Sequence, residues 1–181
     1  MSPIHRSVAV VAGPVLALLV ASSVIAAPAS LRHARGTFVD VSGATIGTVS
    51  LSQDGHGIVN VRVKVDGVET GLHGIHIHAV GSCTPTFAAA GGHYNPFGEE
   101  HGLDNPNGPH AGDLPNLIVD RHGHGRLNTR TDRVTITAGP ATLFDADGSA
   151  FIIHANPDDQ VTDIGNGGSG ARIACAVIVA D

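Results

Sequence analysis

The chain has 181 residues, which is enough for one domain with a sizeable apolar core. Acidic residues outnumber basic residues by 16 to 10, which argues against a nucleic-acid partner or an anionic membrane as partner. Aromatic residues make up only 3% of the chain, whereas glycine occurs 24 times and proline 10 times. This balance disfavours long helices and indicates short strands joined by turns.

The first segment is an apolar run, Val8–Val20, with the length of an export-signal core. Arg6 precedes the run and small residues follow it. We therefore predict that residues 1–29 are a removed export signal and that residues 30–181 form the mature domain, in the periplasm, the cell envelope or the medium. The alternative is an uncleaved amphiphilic anchor. No membrane span is expected after cleavage, because the run is short and contains Pro14.

Strand-like runs cover much of the remaining chain. The clearest is Gly57–Val65, where four valines alternate with Asn60, Arg62 and Lys64. The other runs are Gly36–Asp40, Thr45–Ser52, Leu72–Ala79, Asn116–Asp120, Gly125–Thr131, Ala150–His154 and Arg172–Val179. A count of about eight strands with two long excursions predicts an all-β antiparallel sandwich or barrel.

The run Gly71–His78, which reads GLHGIHIH, places His76 and His78 two residues apart in a predicted strand. Alternate side chains leave a strand on the same face, so both imidazoles can point at one metal site. The alternative is a half-buried strand with two hydrogen-bonded histidines. His73 in the same run has the opposite parity, and we predict that it is a packing histidine.

The excursion from Val80 to Pro115 lacks any periodicity and is rich in Gly, Pro, Asn and His. A structureless loop of this length inside a compact domain usually has a function. It supplies three imidazoles and one carboxylate, a complete tetrahedral set for Zn²⁺: His93, His101, His110 and Asp113. Further imidazoles on strands, without thiolates, suit copper and leave a face for substrate: His76, His78 and His154.

The chain contains two cysteines, Cys83 and Cys175. A disulfide between them is the economical interpretation for an exported protein. It would connect the region after the HxH pair to a late strand.

Several motifs occur in an order that is typical of a known protein family. GLHGIHIH, GGHYNP, PHAGDLPN, FIIH followed by DD, and GSGARIAC occur in sequence, and from Gly36 to Val179 the chain resembles the copper-zinc superoxide dismutases. The resemblance implies a Greek-key fold of eight strands, one copper and one zinc per chain, and superoxide as the substrate. It implies four copper ligands: His76, His78, His93 and His154. It implies four zinc ligands: His93, His101, His110 and Asp113. His93 would then bridge the two ions as an imidazolate.

Two further roles follow from the resemblance. Asp158 matches a carboxylate that hydrogen-bonds one copper ligand and one zinc ligand. Arg172 matches the arginine that attracts and orients the anionic substrate beside copper. The loop Ala155–Ala171 is shorter than in the animal enzymes and lacks their cluster of acids and lysines, so Arg172 is expected to do most of the steering.

Two other classes of function stay open at this stage. One is a copper-handling or zinc-storing protein on the same sandwich, without turnover. The other is an adhesion or structural β-sandwich held by a disulfide. The sequence does not decide the oligomeric state, and a homodimer is compatible with it. His122 and His124 flank a glycine in a predicted turn, where a solvated pair is favoured over a third metal site.

Overall fold

The computed structural model describes residues 32–164 and 166–181. The predicted export signal therefore lies outside the described residues. The described strands are β1 (Arg32–Asp40), β2 (Thr45–Gln53), β3 (Val59–Val65), β4 (Gly71–His73), β5 (Ile75–His78), β6 (Leu117–Val119), β7 (Gly125–Thr131), β8 (Ala150–His154), β9 (Arg172–Val177) and β10 (Val179–Ala180). Two short 3₁₀ helices, Phe87–Ala90 and Asn166–Gly168, complete the regular structure of this part of the chain. No helix among the described residues has the length and apolar character needed to cross a membrane.

The strands form one antiparallel sheet in the order β4-β6-β7-β3-β2-β1-β9-β8-β5, with β10 paired to β1. Because β4 and β5 are consecutive in the chain yet lie at opposite ends of this order, the sheet curls into a nearly closed barrel. The predicted all-β antiparallel class is confirmed.

The described strands number ten rather than the predicted eight. One predicted strand is interrupted at Gly74, where the backbone bonds to Asn156 and His154 instead of to a neighbouring strand. β4 consequently pairs with β6, whereas β5 pairs with β8. The last predicted strand is interrupted at Ile178, whose N–H donates to the carbonyl of Ser149.

The core lies inside the barrel and follows the predicted alternation. The four valines of β3 (Val59, Val61, Val63 and Val65) are all buried, while Arg62 and Lys64 between them are exposed. Phe38 of β1 and Phe151 of β8 meet edge to face across the core, with ring centroids 6.5 Å apart. Each such buried side chain stabilises the fold by about 1.5–3 kcal/mol relative to exposure.

Cys83 and Cys175 form a disulfide, with their Cα atoms 5.9 Å apart, so the predicted pairing is confirmed. Cys175 lies on β9 and is fully buried. The bond therefore fastens the segment that follows β5 onto the barrel. The adjacent 3₁₀ helix Phe87–Ala90 packs against the same region through Ala90.

Candidate metal centre

The site begins at β5, the last strand in the sheet order, whose outer edge has no strand partner. The segment between β5 and β6 occupies this edge: the N–H of Ile77 donates to the carbonyl of Gly112 at 2.9 Å, and its carbonyl accepts from Tyr94 at 2.8 Å. A Cβ at Gly112 would collide with the carbonyl of Ile77, so glycine is needed there. The pairing sets four candidate ligands opposite one another, His76 facing Asp113 and His78 facing His93.

The first cluster contains four histidines whose ring nitrogens lie within 4.8 Å of one another: His76, His78, His93 and His154. In each ring one buried nitrogen has no hydrogen-bond partner among the described residues. These atoms are Nδ1 of His76 and Nε2 of the other three. A buried nitrogen without a partner is unfavourable unless a ligand takes its lone pair. Four convergent imidazole nitrogens without a thiolate fit a copper ion.

Hydrogen bonds at the opposite ring nitrogens fix the orientation of these imidazoles. His78 Nδ1 donates to the carbonyl of Gly91 at 3.0 Å, and His154 Nδ1 donates to the carbonyl of Gly170 at 3.1 Å. Each of these hydrogen bonds requires the ring proton to be on Nδ1. The lone pair of Nε2 is therefore free and points toward the centre of the cluster.

The second cluster surrounds Asp113. Its Oδ1 atom lies 3.0 Å from Nδ1 of His93, 3.0 Å from Nδ1 of His101 and 3.5 Å from Nδ1 of His110. The Nδ1 atoms of His93 and His110 are 3.3 Å apart. A tetrahedral zinc ion with bonds of about 2.0–2.1 Å requires ligand atoms roughly 3.3 Å from one another. The measured separations therefore fit one ion at the centre of these four groups.

A tighter geometric group around Asp113 contains His76 in place of His110. His76 has only one bare nitrogen, because its Nε2 is hydrogen-bonded to Asp158, and that bare Nδ1 already belongs to the first cluster. His110 is the better fourth member of the second cluster, because its Nδ1 lies near both His93 and Asp113. The His110 side chain is 16% exposed.

Asp158 connects the two clusters. Its Oδ2 accepts from Nε2 of His76 at 2.6 Å and lies 3.0 Å from Nε2 of His101. Asn116 holds the backbone of Asp158 with two reciprocal bonds, of 2.8 and 2.9 Å. A Cβ at Gly167 would collide with the carboxylate, so a glycine completes the cradle. The loop that contains Asp158 and Gly167 therefore packs around the Asp158 carboxylate.

Burial sets the protonation of the first cluster. It lowers the pKa of His76 to about 3, that of His78 to about 2 and that of His154 to about 4. The pKa of His93 is also lowered by burial. All four rings are neutral near pH 7, which is the form that binds metal ions.

The second cluster differs. Burial lowers the pKa of His101, but hydrogen bonds with Asp113 and Asp158 outweigh it and raise the pKa to about 10. Burial raises the pKa of Asp113, and hydrogen bonds from His101, His110 and His93 more than reverse this, so its pKa falls well below the usual range. The metal-free site therefore holds a proton on His101, which a divalent ion must displace.

Arg172 lies beside the first cluster at the start of β9. Its Nη1 donates to the carbonyl of Phe87 and its Nη2 to that of Gly91, each at 2.7 Å. The Gly91 carbonyl also accepts from His78, so one backbone group orients both the guanidinium and a ring of the cluster. Arg172 lines a surface cavity of about 400 Å³ together with Thr86 and Phe87.

Several contacts escaped the sequence analysis. Asn116 supports the site through its bonds with the backbone of Asp158. Arg133 supports it by donating to the carbonyl of Asp113 at 2.7 Å. Both residues come from distant segments, and no spacing pattern in the sequence predicts these contacts. His73 is buried, as expected of a packing histidine, and its ring nitrogens face the carbonyls of His154 and Glu69. His122 and His124 are exposed in the turn between β6 and β7 and belong to neither cluster.

The fold and the two clusters define an all-β metalloprotein. Residues 45–178 match the family model for copper/zinc superoxide dismutase. Superoxide dismutase [Cu-Zn] 2 of Aquifex aeolicus is 39% identical over 148 residues, covering 80% of this chain and 85% of the relative. Superoxide dismutase [Cu-Zn] 1 of the same organism is 39% identical over 143 residues, covering 77% and 83%. A solved SOD-like protein from Bacillus subtilis is 36% identical, with a TM-score of 0.75 over 80% of this chain and 97% of that one.

The chain therefore belongs to the copper/zinc superoxide dismutase family, as its motifs predicted. It is an enzyme of that class, its metals are copper and zinc, and its substrate is superoxide.

Proposed function

We propose that the enzyme disproportionates superoxide at a copper centre that shares one histidine with a structural zinc. Two superoxide ions and two protons give one dioxygen and one hydrogen peroxide. The observation that carries the proposal is the position of His93: its Nε2 is bare and faces the first cluster, while its Nδ1 lies 3.0 Å from Asp113 in the second. A single ring with one nitrogen in each cluster suits a bridging imidazolate.

The proposed ligands follow from the bare atoms. Copper is held by Nδ1 of His76 and by Nε2 of His78, His93 and His154. Zinc is held by Nδ1 of His93, His101 and His110 and by a carboxylate oxygen of Asp113. The copper set is all imidazole, which suits a redox metal, and the zinc set is a closed tetrahedron, which suits a structural ion.

A copper ion held by these residues would supply one-electron redox chemistry. Arg172 binds and orients the anion through its guanidinium, which the carbonyls of Phe87 and Gly91 hold in place. His93 would carry a proton for the product peroxide at Nε2 only while that atom is not bound to copper; it has no hydrogen-bond partner among the described residues.

Attraction of the substrate has to be local, because the chain as a whole carries a net charge of −6 and repels an anion. Arg172 is half-buried beside a concave surface, where its field is less screened than that of an exposed arginine. We propose that this side chain supplies most of the protein's positive potential at the site.

We propose that the enzyme acts outside the cytosol as an antioxidant defence. Two features support this: the signal-like segment 1–29, and the disulfide Cys83–Cys175, which is typical of oxidising compartments. The mature domain then comprises residues 30–181. Mass spectrometry of the purified exported protein identifies its first residue and tests this boundary.

The decisive experiment measures copper, zinc and superoxide consumption in the same purified sample, with copper removed and then restored. Activity should disappear with copper and return with it.

His93→Gln should lose activity and zinc together, whereas the matched control His122→Gln, at an exposed turn, should retain both. A fully loaded sample that leaves superoxide decay unchanged would support a copper-handling or zinc-storing protein instead. Chelation that leaves the melting temperature unchanged would support a purely structural sandwich.

A further inference from the structure

The outer face of β3 and β7 concentrates positive charge. Of the seven facing pairs that join the two strands, three lie on the outer face: Asn60 with Arg130, Arg62 with Asn128, and Lys64 with Arg126. Their side chains point away from the core, since the residues alternating with them along β3 are buried valines. We call the four cations Arg62, Lys64, Arg126 and Arg130 the basic face; all four are exposed.

The charges of the basic face are scarcely neutralised. Within residues 32–164 and 166–181, no salt bridge involves Arg62, Lys64 or Arg126, and Arg130 lies 3.7 Å from Asp54. Lys64 and Arg126 stand directly opposite each other, an arrangement of like charges that destabilises a sheet. This clustering occurs in a chain whose net charge is −6. An anionic ligand would relieve the repulsion.

The surroundings of the basic face are polar on the β2 side, whereas on the other side the exposed Ile118 of β6 faces Arg126. Thr48, Ser50 and Ser52 of β2 face Lys64, Arg62 and Asn60. A shallow depression of about 320 Å³ lies between β3 and β7, lined by residues 60–62 and 128–130. Strands β2, β3 and β7 contain no aromatic residue. The face therefore lacks the aromatic rings that stack on single-stranded bases.

We propose that the basic face binds a linear polysaccharide that carries carboxylate groups. Arginine side chains pair with carboxylates through two parallel hydrogen bonds, and the neighbouring Asn, Ser and Thr side chains suit sugar hydroxyls. Successive rows on a strand lie roughly 6.6–6.8 Å apart, so the cations recur along β3 and β7 as charges recur along an acidic sugar chain. The depression gives such a chain a path along the strands.

Binding at this face leaves the metal centre open. In the sheet order, β2, β1 and β9 separate β3 from β8, which carries His154. Arg172 lies at the start of β9, on the side of the barrel with the metal ligands. A polysaccharide on the basic face would hold the enzyme in place without covering its substrate path.

The test uses the metal-loaded mature protein and a fluorescein-labelled alginate oligosaccharide, with anisotropy as the readout. We expect binding that weakens as salt rises, and a loss of roughly tenfold or more in affinity for the variant R62Q/K64Q/R126Q. Unlabelled alginate should compete and neutral dextran should not. The triple variant should melt at the wild-type temperature or above it, because it loses the Lys64–Arg126 repulsion, and should keep the wild-type rate of superoxide consumption, which shows that it is folded.

A matched pair of single variants separates a local site from net charge. Arg62→Gln and Arg35→Gln each remove one cation from the same outer surface, but Arg35 is already paired with Asp181 at 2.7 Å. We expect Arg62→Gln to weaken binding and Arg35→Gln to leave it nearly unchanged. Equal effects of the two variants, or undiminished binding by the triple variant, overturn the proposal. So does tighter binding to a single-stranded DNA oligonucleotide or to phosphatidylglycerol vesicles than to alginate.

Discussion

The Nε2 atom of His76 donates a hydrogen bond of 2.6 Å to Oδ2 of Asp158, and neither side chain is exposed to solvent. The same carboxylate lies 3.0 Å from Nε2 of His101, in the other cluster. One carboxylate therefore fixes a ring on each side of the metal centre, and the geometries of the two clusters depend on each other.

Replacing Asp158 with Asn should lower the affinity for both metals by about 10- to 100-fold, the usual effect of losing a carboxylate that orients ligating histidines. An amide cannot accept from two ring N–H groups through both of its polar atoms. Chelator competition on the purified protein measures the affinities. Asp159→Asn makes the same charge change one residue away at an exposed position and should leave them unaltered. Equal metal affinities in the two variants would show that Asp158 does not orient the metal-binding histidines.

Arg172→Met should keep both metals and lower the rate of superoxide consumption by about tenfold or more, because a local positive focus raises the encounter rate of an anion by roughly 10 to 10³. The remaining rate should also respond less to salt. Metal content and stopped-flow decay of superoxide provide the measurement. Arg35→Met, with the same change in net charge, is the control. Wild-type turnover in the Arg172 variant at both low and high salt would show that another group steers the substrate.

The metal-free protein should lose stability as the pH falls below about 6.5, the pKa of an unfolded-state histidine. Burial lowers the pKa of His76 to about 3, that of His78 to about 2 and that of His154 to about 4, so the unfolded chain binds more protons than the folded one in this range. Each histidine removes about 1.4 kcal/mol per pH unit until its folded-state pKa is reached. Urea unfolding at pH 7, 6 and 5 measures the slope.

The second cluster should affect the stability of the metal-free protein at alkaline pH. The pKa of His101 is raised to about 10 in the folded protein, so its contribution is fully present below pH 6.5 and is lost as the pH rises through 10. Unfolding curves of metal-free protein at pH 8, 9 and 10 should show this decline, and His101→Gln should flatten it. A decline of equal slope in the variant would assign the effect to other groups.

Removing the disulfide with the double change Cys83→Ala and Cys175→Ala should lower the free energy of unfolding by roughly 4–5 kcal/mol, because the bond closes a loop of 92 residues. The segment after β5 also carries the carbonyls of Phe87 and Gly91 that hold Arg172, so activity should fall as well. Urea unfolding gives the stability. Reduced wild-type protein serves as the control and should match the double variant; a much more stable variant would contradict the loop account.

Residues with local patterns were predictable from the sequence, whereas contacts between distant segments were not. The alternation of Val59 to Val65 identified β3, and the spacing of His76 and His78 identified a strand with two candidate ligands. The break at Gly74 has no local signal, because it depends on a backbone bond with Asn156 from a distant loop. Arg133 reaches Asp113 in the same unpredictable way.

The basic face shows the same limit. Arg62 and Lys64 are visible in the sequence as the polar side of one strand, and the overall acidic balance argues against a nucleic acid or an anionic membrane as partner. Only the register of β3 with β7 shows that Arg126 and Arg130 extend the same patch. Net charge summarises a whole chain, whereas binding depends on which charges the fold places side by side.

The coverage of β5 by the loop that carries His93 and Asp113 has a consequence for the protein without its metals. If that loop detaches, the exposed ladder of N–H and C=O groups, flanked by the apolar side chains of Ile75 and Ile77, becomes a template to which a strand of another molecule can add. Ions bound by His93 and Asp113 would hold the loop in place and so keep this edge covered.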